Sequence, residues 1–256
     1  DGSQFESVSE IKAKYGQPVS PIRVTLPDGY TLDHWYESDK ETPYLFTTMP
    51  DRNVTLHSKY TAIYYLEYDA NGGAGDLPYK IGYTNGTEVI LFGPNYPTSS
   101  SYILTKEGYT FGGWKYDGKT YQPGESFTMP TNDITLKADW TPITYEVQFD
   151  GNGSTSGSMT DQTFTYDAAQ DLTANVFERT GYTFAGWSDI LNGSVKYTDN
   201  ESVNNLASTE GATVTLYAVW TSISYTITYD ANTGSGSIDN QPAVYGSSIN
   251  LSNGSE

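Results

Sequence analysis

The stretch Gly181-Tyr182-Thr183-Phe184-Ala185-Gly186-Trp187 decides the fold, because the chain contains two further versions of it. These run from Gly108-Tyr109-Thr110-Phe111 to Trp114 and from Gly29-Tyr30-Thr31-Leu32 to Trp35. Each version is followed by a second phrase, a β-branched residue and Thr-Leu, which closes on an aromatic at Tyr60, Trp140 or Trp220. The closing aromatics lie 80 positions apart. A fixed period with the same motif order predicts a tandem array of like modules.

The composition narrows the class of protein. A chain of 256 residues with a period near 80 fits several small modules, each able to bury a modest core of its own. The formal net charge of −18, from 13 basic and 31 acidic residues, argues against a nucleic-acid partner. Cysteine is absent, so a disulfide framework and thiol chemistry are excluded in this chain. We expect no membrane span, because no apolar run approaches the required length.

The predicted strands follow the repeat. Each repeat opens with large residues at every second position, as in Tyr64, Leu66 and Tyr68, which places them on one face of a half-buried strand. A polar turn follows, beginning at Asp69, Asp150 or Asp230 and rich in Asn and Gly, which accept positive φ. A second strand is expected near 162–166 and 241–245, and a short helix or helical turn over Ala168 to Glu178. The unit is therefore predicted as β-β-(short α)-β-β.

Four sequence repeats result. They are repeat 1 (1–61, lacking its opening strand), repeat 2 (62–141, with an insertion near 75–97), repeat 3 (142–221) and repeat 4 (222–256, opening strands only). The incomplete repeats predict a window from a longer array. An alternative is that the unfinished front repeat, repeat 1, accepts a strand from the tail of a neighbouring copy of the chain. The very short linkers, such as Thr141-Pro142, lack Gly and Ser runs and predict a semi-rigid array.

These motifs resemble the internalin B-repeat family, also called Listeria–Bacteroides repeats. The resemblance is carried by the opening strand ending in Asp, the Gly-Tyr-Thr-Phe-x-Gly-Trp centre and the ending Thr215-Leu216-Tyr217-Ala218-Val219-Trp220. It covers nearly the whole chain and departs in repeat 1, at Leu32 and His34. The resemblance implies a mainly β fold (α+β with short helices), made of small β-grasp-like modules. It also implies an extracellular place, at the cell surface or cell wall of a bacterium, as stalk or accessory adhesive modules.

The recurrent aromatics are predicted to form the module cores, since a small domain depends on a few large rings. They are Tyr109, Phe111, Trp114, Trp140, Tyr182, Phe184, Trp187 and Trp220. An alternative is that Trp114 and Trp187 form a stacking platform for sugar rings. Three tyrosines in or beside the insertion, Tyr79, Tyr83 and Tyr96, are the candidate ligand contacts. The Asp-x-Asn-Gly turns are predicted to be simple hairpin turns, with a weak calcium site as the alternative.

Catalysis is not expected. His34 and His57 are the only histidines, both lie in repeat 1, and neither has a counterpart in the other repeats. No Gly-rich segment carries the Lys of a phosphate loop. We therefore expect no catalytic residue, cofactor or metal. The sequence predicts a non-catalytic surface segment, a semi-rigid stalk and adhesion module, whose partner is a surface protein, a glycan or neighbouring copies of itself. The alternative is a carbohydrate-binding appendage of a large secreted enzyme.

Overall fold

Alternating large and polar residues produce an all-strand chain in the computed structural model, which describes residues 14–20, 26, 28–37, 41–94 and 103–252. These residues contain 18 strands and no helix. Two compact units form, one from residues 1–105 with 111–139 and the other from residues 106–110 with 140–256. The predicted mainly β class is confirmed.

Six of the first ten strands form one sheet, in which the long strand β2 serves two repeats. Their bounds are β1 (Tyr30–Tyr36), β2 (His57–Asp69), β3 (Ala74–Gly75), β4 (Ile81–Thr84), β5 (Glu88–Ile90), β6 (Leu104–Thr105), β7 (Tyr109–Tyr116), β8 (Lys119–Tyr121), β9 (Ser126–Thr128) and β10 (Ile134–Pro142). The sheet order is β1-β2-β10-β7-β8, with β4 also paired to β2, and β3-β6 and β5-β9 form separate ladders. Strands β2 and β10 are parallel, with Leu66 opposite Ile134.

The remaining strands repeat this arrangement in the second unit. Their bounds are β11 (Thr144–Asp150), β12 (Gln162–Thr165), β13 (Gln170–Asp171), β14 (Tyr182–Ser188), β15 (Ser202–Val203), β16 (Thr213–Ser222), β17 (Ser224–Ile227) and β18 (Gln241–Val244). The order β12-β11-β16-β14 places the parallel pair β11 and β16 at the centre, with Val147 opposite Val214. Both complete repeats thus order their main strands second, first, fourth, third, the β-grasp-like arrangement implied by the resemblance.

Each complete repeat has buried apolar residues that point inward from its central strands. In repeat 3 the core gathers around Trp187 and includes Tyr145, Phe164, Leu172 and Leu216. In repeat 2 the corresponding inward positions are Leu66, Trp114 and Leu136, all at most 1% exposed. Alternation in the strands is the cause, because the intervening positions face outward.

The predicted helix over Ala168–Glu178 is wrong. The segment is extended: it contains β13, and the Leu172 N–H donates to the carbonyl of Glu201 at 2.9 Å. Farther along, the side chain of Asn175 bonds both backbone groups of Phe177. Only Leu172 is fully buried in this stretch, so the segment lacks the apolar face every three to four residues that would favour a helix.

The segment Gly75–Pro97, predicted as an insertion, supplies the regular strands β4 and β5. These occupy the places of β12 and β13, since β4 pairs with β2 as β12 pairs with β11. The fully buried Leu91 and Leu172 both lie 22 positions after the Asp that ends the opening strand. From Leu91 to Gly108 there are 17 positions, against nine from Leu172 to Gly181. The extra length of repeat 2 therefore falls after Leu91, a stretch that includes residues outside the described part.

Candidate functional site

The two central tryptophans occupy equivalent, closed surroundings. Trp187 is fully buried, and its ring lies 4.9 Å from the rings of both Phe149 and Phe184. Trp114 is 1% exposed and has the matching neighbours Tyr68 at 4.8 Å and Phe111 at 5.1 Å. Because a sugar ring must reach an open aromatic face, these indoles are not available as a stacking platform.

The other predicted core aromatics are half-buried. They are Tyr109, Phe111, Trp140, Tyr182, Phe184 and Trp220. Phe184 and Trp220 pack edge to face at 5.7 Å beside Trp187, and the Trp220 Nε1–H donates to the carbonyl of Gly151 at 2.9 Å. Tyr109 and Tyr182 lie farther out, where consecutive repeats meet.

The indole N–H groups of the two central tryptophans differ. Trp114 Nε1 donates to the carbonyl of Phe92 at 2.6 Å. Trp187 Nε1 is equally buried and has no hydrogen-bond partner among the described residues. The indole N–H therefore has a hydrogen-bond acceptor in repeat 2 and none among the described residues in repeat 3, although the aromatic rings around the two indoles match.

The Asp-x-Asn-Gly segments are built as closed turns. Asp150 Oδ1 accepts the backbone N–H of Asn152 at 2.7 Å, and the Asn152 side chain donates to the carbonyl of Ala218 at 2.9 Å. Asn71 makes the same pair of bonds, to Asp69 and to the carbonyl of Ala138. Both asparagines have positive φ, 42° and 48°. These carboxylates thus cap their own turns, and within the described residues no group of three or more His, Cys, Asp or Glu side chains could hold a metal ion.

The three candidate tyrosines do not form one surface. Tyr79 is 91% exposed and lies just before β4. Tyr83 is half-buried within β4, opposite Tyr64, and burial raises the pKa of its hydroxyl. Tyr96 lies outside the described residues. Tyr79 alone among the described pair presents an open ring.

An open groove of about 610 Å³ lies in repeat 1. Its lining combines the exposed side chains of Tyr15 and Leu45 with threonine hydroxyls and the carboxylates of Glu37 and Asp51. Arg52 holds Glu37 through a bidentate ion pair, which lowers the pKa of that carboxyl. A planar ring beside hydroxyl and carboxylate acceptors is chemistry that suits a neutral sugar.

The loop after β14 displays two apolar side chains that sequence reasoning missed. Ile190 is 67% exposed and Leu191 56% exposed. The buried hydroxyl of Ser188 fixes this loop, since it donates to the Ile190 carbonyl at 2.9 Å and accepts the Ile190 N–H at 3.2 Å. An ion pair between Asp189 and Lys196 joins the two ends of the loop and lowers the pKa of the Asp189 carboxyl. The adjacent apolar pair beside Asn192-Gly193 was the available sequence signal.

The counterpart of this loop in repeat 2 carries no apolar tip. There β7 and β8 are joined by a tight turn with positive φ at Asp117 and Gly118. The distance along the chain from Trp114 to its partner Tyr121 is seven positions, against ten from Trp187 to Tyr197. Of the two complete repeats, only repeat 3 thus carries the exposed pair.

The two histidines contact a shared tyrosine in repeat 1. The His57 ring stacks on Tyr36 at 5.5 Å, and the His34 ring meets the same tyrosine edge to face at 6.3 Å. His34 Nδ1 lies 3.4 Å from a carboxylate oxygen of Asp33. The arrangement brings no nucleophilic hydroxyl into hydrogen-bond distance of either imidazole among the described contacts.

Each junction between repeats is a single isoleucine in a nearly continuous strand. Ile63, Ile143 and Ile223 lie 80 positions apart. Their N–H groups donate to the carbonyls of Gly29, Gly108 and Gly181, at 2.8, 3.0 and 2.9 Å. The closing strand of one repeat therefore passes into the opening strand of the next without a free linker.

The comparisons with known proteins agree with this repeat. The Listeria-Bacteroides repeat domain matches residues 1–59, 64–139 and 145–219. The chain belongs to this family. Each of the three matched stretches contains a Gly-Tyr-Thr phrase followed by a Thr-Leu phrase.

Its similar proteins are longer than the chain itself. A protein of Evansella cellulosilytica named as a Gly-rich membrane protein is 30% identical over 86% of this chain and 25% of its own length. Internalin H of Listeria monocytogenes is 29% identical over 73% of this chain and 33% of its own length. The chain thus spans a quarter to a third of these relatives.

A solved structure, Streptococcal High Identity Repeats in Tandem (SHIRT) domains 3-4 from cell surface protein, matches 61% of this chain and 96% of its own. Its sequence identity is 16% and its TM-score 0.21. Among the described residues of the present chain, none forms a helix with the length and apolar character needed to cross a membrane.

Proposed function

We propose that this chain is a non-catalytic repeat segment of a bacterial cell-surface protein, serving as a semi-rigid stalk and as an adhesion or interaction module. The observation that carries the stalk is the junction: one isoleucine, hydrogen-bonded to the preceding repeat, replaces a linker at Ile63, Ile143 and Ile223. Because its backbone is hydrogen-bonded to the preceding repeat, the junction peptide cannot sample the range of conformations that is open to a flexible Gly-Ser linker. The family membership and the internalin relative support a place outside the cell, on its surface or wall.

The stalk can be tested by distance measurement, because the chain has no cysteine of its own. Spin labels at Ser158→Cys in repeat 3 and Ser237→Cys in repeat 4, both exposed, should give a narrow distance distribution by pulsed electron paramagnetic resonance. A matched control inserts a Gly-Ser run between Ser222 and Ile223 and should broaden the distribution. A distribution in the unmodified chain as broad as in this control would refute the stalk.

The exposed loop tip supports the interaction role. Ile190 and Leu191 are held outward by the buried Ser188, so an apolar surface on a partner protein can meet them without reorganising the loop. The net charge of −18 keeps the remaining surface polar and soluble. Adhesion of chain-coated beads to host cells should fall with Ile190→Ser and Leu191→Ser together, and remain with the exposed control Val176→Ser. Equal adhesion of both variants would remove this loop from the proposal.

A second candidate, a carbohydrate-binding appendage of a large secreted enzyme, is favoured by the open ring of Tyr79 and by the groove beside Tyr15. Aromatic faces stack on sugars, and carboxylates accept hydrogen bonds from sugar hydroxyls. Neutral glycans on an array should then bind, and binding should disappear with Tyr79→Ala or Tyr15→Ala. No binding by the unchanged chain would exclude this candidate.

A further inference from the structure

In repeats 3 and 4, a tyrosine directly after the second strand lies on a glycine of the preceding repeat. The ring of Tyr166 covers Gly108 so closely that no Cβ could be added there. The ring of Tyr245 covers Gly181 in the same way. The glycine of the Gly-Tyr-Thr phrase is therefore required for a contact between sequence repeats, in addition to its positive φ of 73° or 77°.

The tyrosine of the same phrase supplies a second ring to this contact. Tyr109 meets Tyr166 at 5.8 Å and 71°, and Tyr182 meets Tyr245 at 5.7 Å and 75°, both edge to face. A basic side chain completes each group from the position three residues earlier. Lys106 lies 4.2 Å from the ring centroid of Tyr109, and Arg179 lies 4.2 Å from that of Tyr182.

Backbone bonds fix both contacts at the junction isoleucine. The N–H of Tyr166 donates to the carbonyl of Ile143 at 3.0 Å, and the N–H of Tyr245 donates to that of Ile223 at 3.0 Å. A left-handed residue then turns the chain away, Asp167 with φ 59° and Gly246 with φ 76°. The same group of residues thus occurs twice, with matching distances, in the second unit.

The junction at Ile63 is built differently. Thr84 stands opposite Ile63, at the place of Tyr166 and Tyr245. A Cβ added to Gly29 would meet no heavy atom of the described residues within 4 Å. Tyr30 instead packs edge to face on Tyr60 at 5.5 Å. Three residues before Tyr30 the sequence has Pro27, so no basic side chain is available at that position.

We propose that the basic residue, glycine and tyrosine before each junction form a docking surface for the tyrosine of the following repeat. We name this group the clasp: Lys106, Gly108, Tyr109 and Tyr166 at one junction, and Arg179, Gly181, Tyr182 and Tyr245 at the next. The clasp selects a following repeat whose second strand ends in tyrosine. It reinforces the junctions at Ile143 and Ile223 and is lacking at the junction at Ile63.

The hairpin of β17 and β18 depends on the clasp. A two-stranded hairpin alone is marginally stable in water, and among the described residues β17 and β18 pair only with each other. Its attachment to repeat 3 runs through Ile223, Tyr245 and the surface of Arg179, Gly181 and Tyr182. The clasp therefore transmits stability from a folded repeat to the start of the next.

Amide hydrogen exchange of Ile63, Ile143 and Ile223, read by NMR in the full chain, tests the clasp. We expect the Ile143 and Ile223 amides to exchange more slowly than the Ile63 amide. Tyr245→Thr, which installs the residue found at the Ile63 junction, should accelerate exchange at Ile223 on the order of tenfold and leave Ile143 unchanged. Tyr166→Thr should accelerate exchange at Ile143 and leave exchange at Ile223 unchanged. Thr84→Tyr, which adds a ring over the open Gly29, should slow exchange at Ile63.

Three results would overturn the clasp: equal exchange at the three junctions, no local change in Tyr245→Thr, or an acceleration spread evenly over repeat 3. The conservative variant Arg179→Lys keeps the cation and should leave Ile223 protected, whereas Arg179→Gln should accelerate its exchange. The spin-label experiment separates this proposal from the stalk. A narrow distance distribution with equal exchange at the three junctions would refute the clasp and leave the stalk standing, whereas a broad distribution would refute the stalk and count against the clasp at Ile223.

Discussion

Replacing Trp187 by Phe should destabilise repeat 3 much less than replacing Trp114 by Phe destabilises repeat 2. Both indoles are at most 1% exposed, so each change removes roughly 1–2 kcal/mol of apolar burial and packing. At Trp114 the 2.6 Å hydrogen bond to Phe92 is lost as well, which adds about 0.5–1.5 kcal/mol. At Trp187 the deleted N–H has no partner among the described residues, and removing it relieves a burial cost of about 1–3 kcal/mol.

The expected loss is therefore about 1.5–3.5 kcal/mol for Trp114→Phe, whereas Trp187→Phe should fall between a loss of about 1 kcal/mol and a gain of about 2 kcal/mol. Urea unfolding followed by NMR, with the amides of Leu66 and Val147 as reporters of repeats 2 and 3, measures both. The midpoints should separate on the order of 1 M urea. Tyr79→Phe, at a 91% exposed ring, is the control and should move neither midpoint. Equal losses in the two repeats, or a larger loss at Trp187, would refute the reasoning from the indole hydrogen bond.

Three further predictions follow from single contacts. Burial raises the pKa of Tyr68 to about 12, so its contribution to the stability of repeat 2 is complete below pH of about 10 and is lost as the pH rises towards 12. Alkaline unfolding of repeat 2 should become less steep with Tyr68→Phe, and an unchanged profile would count against this. Asn152→Ala should cost about 2 kcal/mol, since it removes the bond to Ala218 and leaves at φ 42° a residue that tolerates the left-handed region less well than asparagine. Asn152→Gly loses the same bond without that strain and should cost about 1 kcal/mol; chemical denaturation compares the two variants, and the reverse order would contradict the turn geometry. Thermal melting in millimolar calcium and in chelator should coincide, because Asp150 Oδ1 already accepts the Asn152 N–H; a higher melting temperature with calcium would show a metal site in these turns.

Local pattern predicted the strands well and failed in one connection. The opening strands and the second strands fall where alternation placed them, because period two is a property of neighbouring residues. The predicted helix over Ala168–Glu178 failed because β13 is held by β15, whose paired residues lie 31 and 33 positions away in sequence. The exposed pair Ile190 and Leu191 was missed for a related reason. Two adjacent apolar residues in a sequence suggest a buried position, and only the structure shows that the buried Ser188 holds this loop with the pair facing outward.

The sequence by itself determined the repeat, its period and the β character of each module, because these depend on motif order and on which residues alternate. It also determined that no thiol chemistry occurs in this chain, since cysteine is absent. Only the tertiary structure decided which aromatics serve the core and which serve the junction. Trp187 and Tyr182 stand in the same phrase, yet one is fully buried in its own repeat and the other meets Tyr245 of the next. The physical reason is that a contact between distant residues depends on strand pairing and on the space left by a glycine, which no local pattern records.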